Sequence, residues 1–438
     1  MLGGLPLYAS YPWKAHRRRP PLAGGLASQN WERRLRIRLL PRLIVGASLA
    51  AIVLLTLLPA SGNNTTSGFA CVFCGQLATA DAILNMLLFV PLGVGLALIG
   101  FLPQTAFLVA AFLSGGIELL QLYIPGRDAS TGDLLSNILG CAMGFAAVAG
   151  ARWWMYPSPR LAPALSAGWA VVIVGMISLT AFLLQPSYPH TAYYGHWTPN
   201  FGHLEWYRGK VLDARIGAQF IRSWRLEHSD SVRAALLQGA PVEVRALAGP
   251  AVSDLAPLFT IGDERLQTIL LIGLDREDLV YRYRMRAADY RLVEPEVRIT
   301  GVMTLQEGDS INIRVWRDAE RYCIAANART TCEAWFNAGT GWRFLLSEGH
   351  FPSWMNTGLD ILWIATLLAP LGFWFRTTWS SGAAGLLIVL ALALIPNTSG
   401  LLTTRLVDWV GGGMGLVIGL IVGARVRASG FFREVDSP

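Results

Sequence analysis

Charged residues are scarce in this sequence. They make up 15% of its 438 residues, whereas an ordinary soluble domain carries about 25%. Hydrophobic residues reach 53%, and the mean hydropathy is +0.42. This balance excludes an ordinary soluble protein and indicates a polytopic membrane protein.

Cysteine is scarce as well, with five residues. No third and fourth ligand follow Cys71 and Cys74 (CVFC) at zinc-finger spacing, and no other pattern unites metal-ligand types, so we predict no metal site and no cofactor. This CVFC pair lacks the βαβ context of a thioredoxin-like redox pair, so a small structural disulfide or two free thiols are favoured over a redox function. Cys323 and Cys332 lie close together in a polar region, and we predict that they form a hairpin disulfide.

Apolar runs long enough to cross about 30 Å of hydrocarbon occur eight times. They cover residues 43–58, 82–101, 105–124, 134–150, 164–185, 357–375, 382–395 and 403–423. The seventh is the shortest. We therefore predict an α-helical protein with about eight transmembrane helices, interrupted by one long polar region.

Most of the arginines outside that polar region flank the predicted spans at a few shared positions. They precede the first span, join the fourth to the fifth and the sixth to the seventh, and follow the eighth. With eight spans all of these positions fall on one side of the membrane, which the positive-inside rule assigns to the cytoplasm. Both termini are then cytoplasmic, and the polar region is extracytoplasmic.

Two stretches of the chain resemble two later ones. Asp81–Gly93 (DAILNMLLFVPLG) shares its Asp, Pro, Leu and Gly with Asp360–Gly372 (DILWIATLLAPLG), and Ile124–Gly144 aligns without gaps with Ile395–Gly415. We interpret the spans as two four-helix repeats of the same orientation. The second alignment pairs Asn137 with Asp408 and Glu118 with Val389, so we expect any polar site in the first half.

This interpretation divides the chain into six segments. They are a cytoplasmic basic tail (1–42), a four-helix membrane repeat (43–150), a linker with the fifth helix (151–186), an extracytoplasmic β-sandwich (187–355), the helices of a degenerate second repeat (356–425) and a cytoplasmic tail (426–438).

Polar side chains recur at helical spacing on three successive spans of the first half. A carboxylate at the centre of a span costs about 2.5–3.5 kcal/mol, so Glu118 needs a proton or a cationic partner, for which Arg127 is the candidate. The alternative is that these groups only cap helices or bond one helix to another. The candidate ligand-binding residues are Asp81, Asn85, Glu118, Gln121, Arg127, Asp133 and Asn137.

The same residues resemble the VanZ-like family, which is named for an accessory protein of glycopeptide-antibiotic resistance. The resemblance covers residues 43–150, with a weaker echo in 357–423. It is carried by Asn85, the FVPLG run from Phe89, Glu118 with Gln121, Arg127, Asp133, and Asn137 followed by Gly140 and Gly144. It implies a protein of the cell envelope, in the plasma membrane if the host is bacterial, and assigns no reaction.

Alternating residues after Gln267, Asp278, Glu296 and Ser310 predict the strands of an antiparallel sheet. A polar region of this length with such strands is most simply a β-sandwich. It resembles the laminin-G and concanavalin-A-like jelly rolls. Sandwiches of this kind often bind glycans through aromatic faces, for which the candidates are Trp197, Trp206, Trp224, Trp316, Trp335 and Trp342.

Three functions remain open from the sequence. The first is recognition of an envelope glycan or a lipid-linked precursor, with membrane lipid as a partner, no nucleic acid, and an effect on glycopeptide susceptibility. The second is an intramembrane enzyme with Glu118 or Asp133 as general base and Arg127 on a phosphate. The third, an ion-coupled transporter, would require matching polar residues in both halves.

Overall fold

A computed structural model describes residues 24–59, 72, 75–127, 129–202, 204–301, 306–318, 321–332, 336–347, 349, 351–375, 379–399 and 401–429. The CVFC cysteines Cys71 and Cys74 lie outside these residues, as do Trp335 and the arginines that begin the basic tail.

Eleven α-helices occur in the described part of the chain. They are α1 Gly24–Leu57, α2 Ala78–Ile99, α3 Pro103–Gln121, α4 Thr131–Ala149, α5 Ala151–Met155, α6 Leu161–Leu183, α7 Ser229–Leu237, α8 Arg286–Asp289, α9 Ser353–Trp374, α10 Trp379–Ser399 and α11 Leu406–Ser429. Seven of them, α1 to α4 with α6, α9 and α11, are long and apolar enough to cross a membrane. The remaining predicted span falls in α10, whose apolar segment Gly382–Pro396 is shorter. The prediction of a polytopic helical membrane protein is confirmed.

The links from α2 to α3 and from α3 to α4 are short, and the residues at the helix ends are of types that stop or start a helix. Gly100 closes α2 with a left-handed φ of 96°, and Pro103 opens α3. The Ser130 hydroxyl caps α4 by accepting a hydrogen bond from the Gly132 backbone N–H at 3.0 Å. These links place α2, α3 and α4 side by side.

Glycines bring α2 and α4 into backbone contact. A Cβ atom added at Gly93, Gly140 or Gly144 would lie 2.0, 2.1 or 2.0 Å from a carbonyl oxygen of the facing helix. Small residues allow this close approach between membrane helices, where no hydrophobic force drives association.

The pair α9 and α11 packs by the same means. A Cβ atom at Gly372, Gly415 or Gly419 would lie 2.2, 2.3 or 2.0 Å from a carbonyl oxygen of the partner helix. The packing of α3 differs from that of its counterpart α10, however. Helix α3 packs against α4, whereas α10 packs mainly against α6.

The region between α6 and α9 is a β domain. Its strands are β1 Tyr193–Trp197, β2 Lys210–Ile216, β3 Gln219–Phe220, β4 Val242–Leu247, β5 Ala256–Asp263, β6 Thr268–Asp275, β7 Asp278–Tyr283, β8 Val297–Ile299, β9 Ser310–Asp318, β10 Arg321–Ala326, β11 Arg329–Thr331 and β12 Phe336–Asn337. A 3₁₀ helix, Ala338–Phe344, follows, and β12 pairs in parallel with β13 Leu402–Thr403, just before α11.

Two antiparallel sheets build the β domain, in the strand orders β1-β5-β6-β7-β8 and β11-β10-β9-β4-β2-β3. Buried side chains of both sheets, such as Ile272 and Ile313, belong to one core, which continues into α6 and α9. The predicted strands correspond to β6, β7, β8 and β9, so the prediction of a separate antiparallel β region is confirmed. Cys323 in β10 forms a disulfide with Cys332, which follows β11.

The β domain rests directly on the ends of the membrane helices. The Tyr283 hydroxyl donates to the carbonyl oxygen of Leu184 at 2.9 Å, just after α6. The Ala80 backbone N–H, at the start of α2, faces the carbonyl oxygen of Arg291 at 3.4 Å. The start of α2 therefore lies beside the β domain.

Candidate functional site

Three carboxylates gather at the end of the helices that faces the β domain. Asp81 lies in the first turn of α2, Asp133 in the first turn of α4 and Glu118 in the last turn of α3. Asp133 is close enough to repel both Glu118 and Asp81, and it accepts a hydrogen bond from the Asn85 side chain. We call Asp81, Glu118 and Asp133 the acid cluster.

Glu118 is the buried member of the acid cluster, with 1% of its surface exposed. Its Oε2 accepts a hydrogen bond from the Ser130 backbone N–H at 2.7 Å, at the start of α4. A helix N-terminus carries partial positive charge, so it stabilises a carboxylate there. Asp81, by contrast, is exposed.

Two amide side chains near the acid cluster, Asn137 and Gln121, bond one helix to another. Asn137 lies one turn below Asp133, and its Nδ2 donates to the Ser114 hydroxyl at 2.9 Å, one turn below Glu118. The Gln121 amide donates to the carbonyl oxygen of Thr56 at 3.0 Å, which joins α3 to α1. These two bonds hold helices together, which agrees with the alternative that such polar groups only bond one helix to another. The side-chain oxygens of Asn137 and Gln121 are buried and find no partner among the described residues.

Arg127 does not pair with Glu118. Its guanidinium donates to the carbonyl oxygens of Leu55 and Leu58, at 2.7 and 3.0 Å, where α1 ends. The last carbonyls of a helix lack intrahelical donors and carry partial negative charge, so they compete with a carboxylate for the arginine. Over the described ranges, no arginine or lysine forms an ion pair with any member of the acid cluster. The expected pairing of one buried acid with one basic side chain is therefore replaced by two separate backbone contacts.

A cleft of about 740 Å³ opens between the start of α2 and the β domain. One wall is formed by residues 75–77, which precede α2, and the other carries the arginines Arg265, Arg282, Arg284 and Arg291. Because Ala80 contacts the Arg291 carbonyl and immediately precedes Asp81, the cleft lies next to the acid cluster. We call it the junction cleft.

Acidic residues within the β domain engage two arginines of the junction cleft. Arg282 pairs with Glu296 at 2.6 Å, and Arg284 pairs with Asp289 at 2.9 Å. Burial raises the pKa of Glu294 to about 7, against the opposing effect of its hydrogen bond from the Met285 backbone N–H. Arg265 is exposed, and over the described ranges it has no ion pair.

The tryptophans proposed for glycan binding have different environments. Trp224 is 77% exposed and Trp206 is 51% exposed. Trp197 instead donates to the carbonyl oxygen of Ile221 at 3.1 Å, and Trp342 is buried against Asp360. Arg314 covers the ring of Trp316. Arg208 also lies over the ring of Trp206, 5.9 Å from its centroid, so Trp224 keeps the most ring surface for a ligand and Trp206 keeps part of its own.

A second acidic pair in the other half escaped the sequence analysis, which expected no polar site there. Asp360 in α9 and Asp408 in α11 are buried, with 4% and 1% of their surfaces exposed. Their hydrogen bonds come mainly from the segment Asn337–Arg343. The shared Asp of DAILN and DILWI was the available signal, but the bonding segment lies in the β domain and no helical spacing points to it.

In the part of the chain that the structure describes, no group of three or more His, Cys, Asp and Glu residues has the arrangement of a metal site. Glu205, which has a ligand-like side chain, instead accepts bonds from Ser253 and from the Asp254 backbone N–H.

Comparison with known proteins bears on the helices that carry the acid cluster. No curated protein and no solved structure matches the chain. Residues 27–152 match the family model described as VanZ/LLP1. The stretch that holds α1 to α4, and with it Asp81, Glu118, Arg127 and Asp133, is thus similar to VanZ-like membrane proteins.

Proposed function

We propose that this chain is a VanZ-like integral membrane protein of the cell envelope that recognises an extracytoplasmic glycan or a lipid-linked envelope component. The observation that carries the proposal is the junction cleft. It has the residues that lead into α2 on one wall and β-domain arginines on the other, and it lies beside the acid cluster. A ligand anchored in lipid would present its headgroup at this level.

The orientation follows from charge and from cysteine chemistry. The arginine distribution favours cytoplasmic termini and an extracytoplasmic β domain. The disulfide between Cys323 and Cys332 supports this orientation, since disulfides persist on the oxidising side of a membrane.

The β domain would contribute to recognition as a jelly roll of the laminin-G or concanavalin-A type. Two antiparallel sheets around one core support that assignment. The exposed rings of Trp206 and Trp224 offer flat apolar surfaces of the kind on which sugars stack.

Phosphate or carboxylate groups of the ligand would bind the arginines of the junction cleft. A guanidinium presents several N–H donors in a planar fork that matches either group. Arg265 is the principal candidate because the ion pairs of Arg282 and Arg284 are already made within the β domain. Arg127 is not assigned to a phosphate, since it binds the end of α1.

Ion-coupled transport receives less support. Such a transporter would expose matching polar residues in both halves, whereas Asp360 and Asp408 are buried and bonded to the protein itself.

The test is complementation of a host strain that lacks the gene, with Arg265→Ala, Glu118→Gln and the control Glu227→Gln. Glu227 is an exposed acid of the β domain that does not line the junction cleft. Membrane insertion is verified for each variant, and lipid-linked glycan pools and glycopeptide susceptibility are measured. We expect Arg265→Ala and Glu118→Gln to behave like the deletion and Glu227→Gln like the wild type. Wild-type behaviour of all three would contradict the proposal.

A further inference from the structure

The contacts between helices define which residues of the two halves are equivalent. Gly93 meets the Cys141 carbonyl, and Gly372 meets that of Leu416; Gly140 meets Met86, and Gly415 meets Ala365. These matching contacts make Asp133 the counterpart of Asp408, each as the third residue of its helix. The ungapped sequence alignment, which pairs Asn137 with Asp408, is displaced by about one helical turn.

The equivalence extends to a pair of acids. Asp81 and Asp360 begin the matching DAILN and DILWI runs, so they are counterparts on α2 and α9. Within each half the two aspartates are close enough to repel each other, Asp81 with Asp133 and Asp360 with Asp408. Each half therefore brings two carboxylates together at the same place in its helix pair.

The second pair, Asp360 with Asp408, is bound by another segment of the same chain. Asp360 accepts from the Trp342 indole N–H at 2.7 Å, from the Asn337 amide at 3.1 Å and from the Arg343 guanidinium at 3.1 Å. Asp408 accepts from the Gly339 backbone N–H at 3.0 Å. Every one of these donors is an N–H group, and one of them is a cation.

The sequence of this segment suits close insertion. A Cβ atom at Gly339 would lie 2.7 Å from the Asp360 carbonyl oxygen, and one at Gly341 would lie 2.7 Å from the Trp363 ring nitrogen. The parallel pairing of Phe336 with Leu402 fixes the entry of the segment beside α11. The residues Asn337–Phe344 (NAGTGWRF) thus form a peptide plug bound to an acidic pocket.

The first half presents the same carboxylates without such a plug in the described ranges. Asp81 is exposed, and its side chain has no hydrogen bond or ion pair there. Glu118 adds a third carboxylate, and the buried Asn137 oxygen beneath them is a further acceptor without a partner in those ranges. This pocket is therefore rich in acceptors and lacks an arginine or lysine among the described residues.

We infer that the pocket formed by Asp81, Asn85, Glu118 and Asp133 binds a short peptide segment that carries a guanidinium or ammonium group. The internal plug of the second half is the template for this ligand. The inference rests on the proposed function in using the same end of α2 to α4, and it adds the class of ligand. Cationic N–H donors fit carboxylates and a buried carbonyl oxygen, and a free phosphate does not.

The test measures binding of a fluorescent synthetic peptide, NAGTGWRF, to the full-length protein in lipid nanodiscs. A matched peptide carries Arg343→Gln. We expect saturable binding of the first peptide, with at least about tenfold weaker binding of the second, the magnitude of one lost charged hydrogen bond. We expect a loss of similar size in the Asp81→Asn variant and in Asp81→Asn with Asp133→Asn, and unchanged binding in the control Glu227→Gln.

The single Asp81→Asn variant keeps the test decisive should the double variant fail to fold, because Asp81 is exposed. Equal binding of both peptides, or binding unaffected by Asp81→Asn, would overturn the inference. So would binding of glucosamine in place of the peptide, which would assign the pocket to an amino sugar. A negative peptide result together with a deletion-like phenotype of Arg265→Ala would reject this ligand class and leave the proposed function standing.

Discussion

The guanidinium Nη2 of Arg127 donates a hydrogen bond to the carbonyl oxygen of Leu55 at 2.7 Å, which fastens the loop between α3 and α4 to the end of α1. The Nε of the same side chain reaches the carbonyl oxygen of Leu58 at 3.0 Å. A residue that the sequence marks as a ligand-binding candidate thus supports the helices around the acid cluster.

Replacement of Arg127 by alanine should destabilise the membrane domain. Two carbonyl oxygens at the end of α1 would lose a charged donor, and because both bonds are exposed to solvent each loss costs about 0.5–1.5 kcal/mol. Arg127→Lys should recover only part of the loss, because an ammonium lacks the planar fork that spans both oxygens. Thermal unfolding of the purified protein in detergent should give midpoints that decrease from the wild type to Arg127→Lys and then to Arg127→Ala. Equal midpoints for wild type and Arg127→Ala would show that the contact contributes nothing.

Gly144→Ala should separate α2 from α4. The new Cβ atom would lie 2.0 Å from the Val90 carbonyl oxygen, so the backbones must move apart, at a cost of about 1–3 kcal/mol or more. Gly115→Ala is the matched control, since a Cβ atom there would meet nothing within 4 Å. Unfolding midpoints of both variants give the comparison. If Gly115→Ala were as destabilising as Gly144→Ala, the loss would come from replacing any glycine in these helices and not from the contact between α2 and α4.

The sequence allowed the spans to be predicted because a long apolar run has few alternatives in a chain of this hydropathy. The predicted span 82–101 corresponds to α2 Ala78–Ile99, and the predicted span 164–185 to α6 Leu161–Leu183. Helical spacing also correctly indicated that Asn137 lies one turn below Asp133. These features depend on local pattern, which the sequence contains directly.

The partners of the polar residues depend on contacts between distant segments, and local pattern does not determine them. Arg127 had Glu118 and the end of α1 within reach, and only the fold decides between them. The alignment that paired Asn137 with Asp408 was displaced because apolar helices rich in glycine match almost equally well when shifted by one turn. The plug Asn337–Phe344 was missed because its bonds to Asp360 and Asp408 join the β domain to the membrane helices.

The pH dependence of stability should carry a contribution from Glu294. Burial raises the pKa of this carboxyl from 4.5 to about 7. The folded protein then binds this proton more tightly than the unfolded chain does, so the contribution to stability falls as the pH rises from about 4.5 to about 7. Glu294→Gln, which can still accept the bond from the Met285 N–H, should be more stable than the wild type above pH 7 by about 1–3 kcal/mol.

Unfolding midpoints at pH 4 and pH 8 test this expectation. At pH 4 the carboxyl is protonated in both states, so wild type and Glu294→Gln should agree. The exposed Glu227→Gln substitution is the control. A stability gain of Glu294→Gln that is the same at both pH values would contradict a titrating carboxylate as its cause.

The ion pair between Arg343 and Asp360 should show energetic coupling, so that the effects of replacing its two members are not additive. Arg343 Nη2 lies 3.1 Å from Asp360, with 12% and 5% of the two side chains exposed. Removing one partner leaves the other charge buried, so Asp360→Asn and Arg343→Gln should each cost about 3–5 kcal/mol. The double variant should cost clearly less than the sum, because neither Arg343 nor Asp360 is then left as an unpaired buried charge. The 3₁₀ helix should also become more susceptible to proteases in these variants, since the pair of Arg343 with Asp360 helps to hold the plug in place. Additive losses in the thermal unfolding cycle would mean that Arg343 and Asp360 do not stabilise each other. The plug would then be held by its other contacts, which are the β12–β13 pairing and the bonds of Asn337, Gly339 and Trp342.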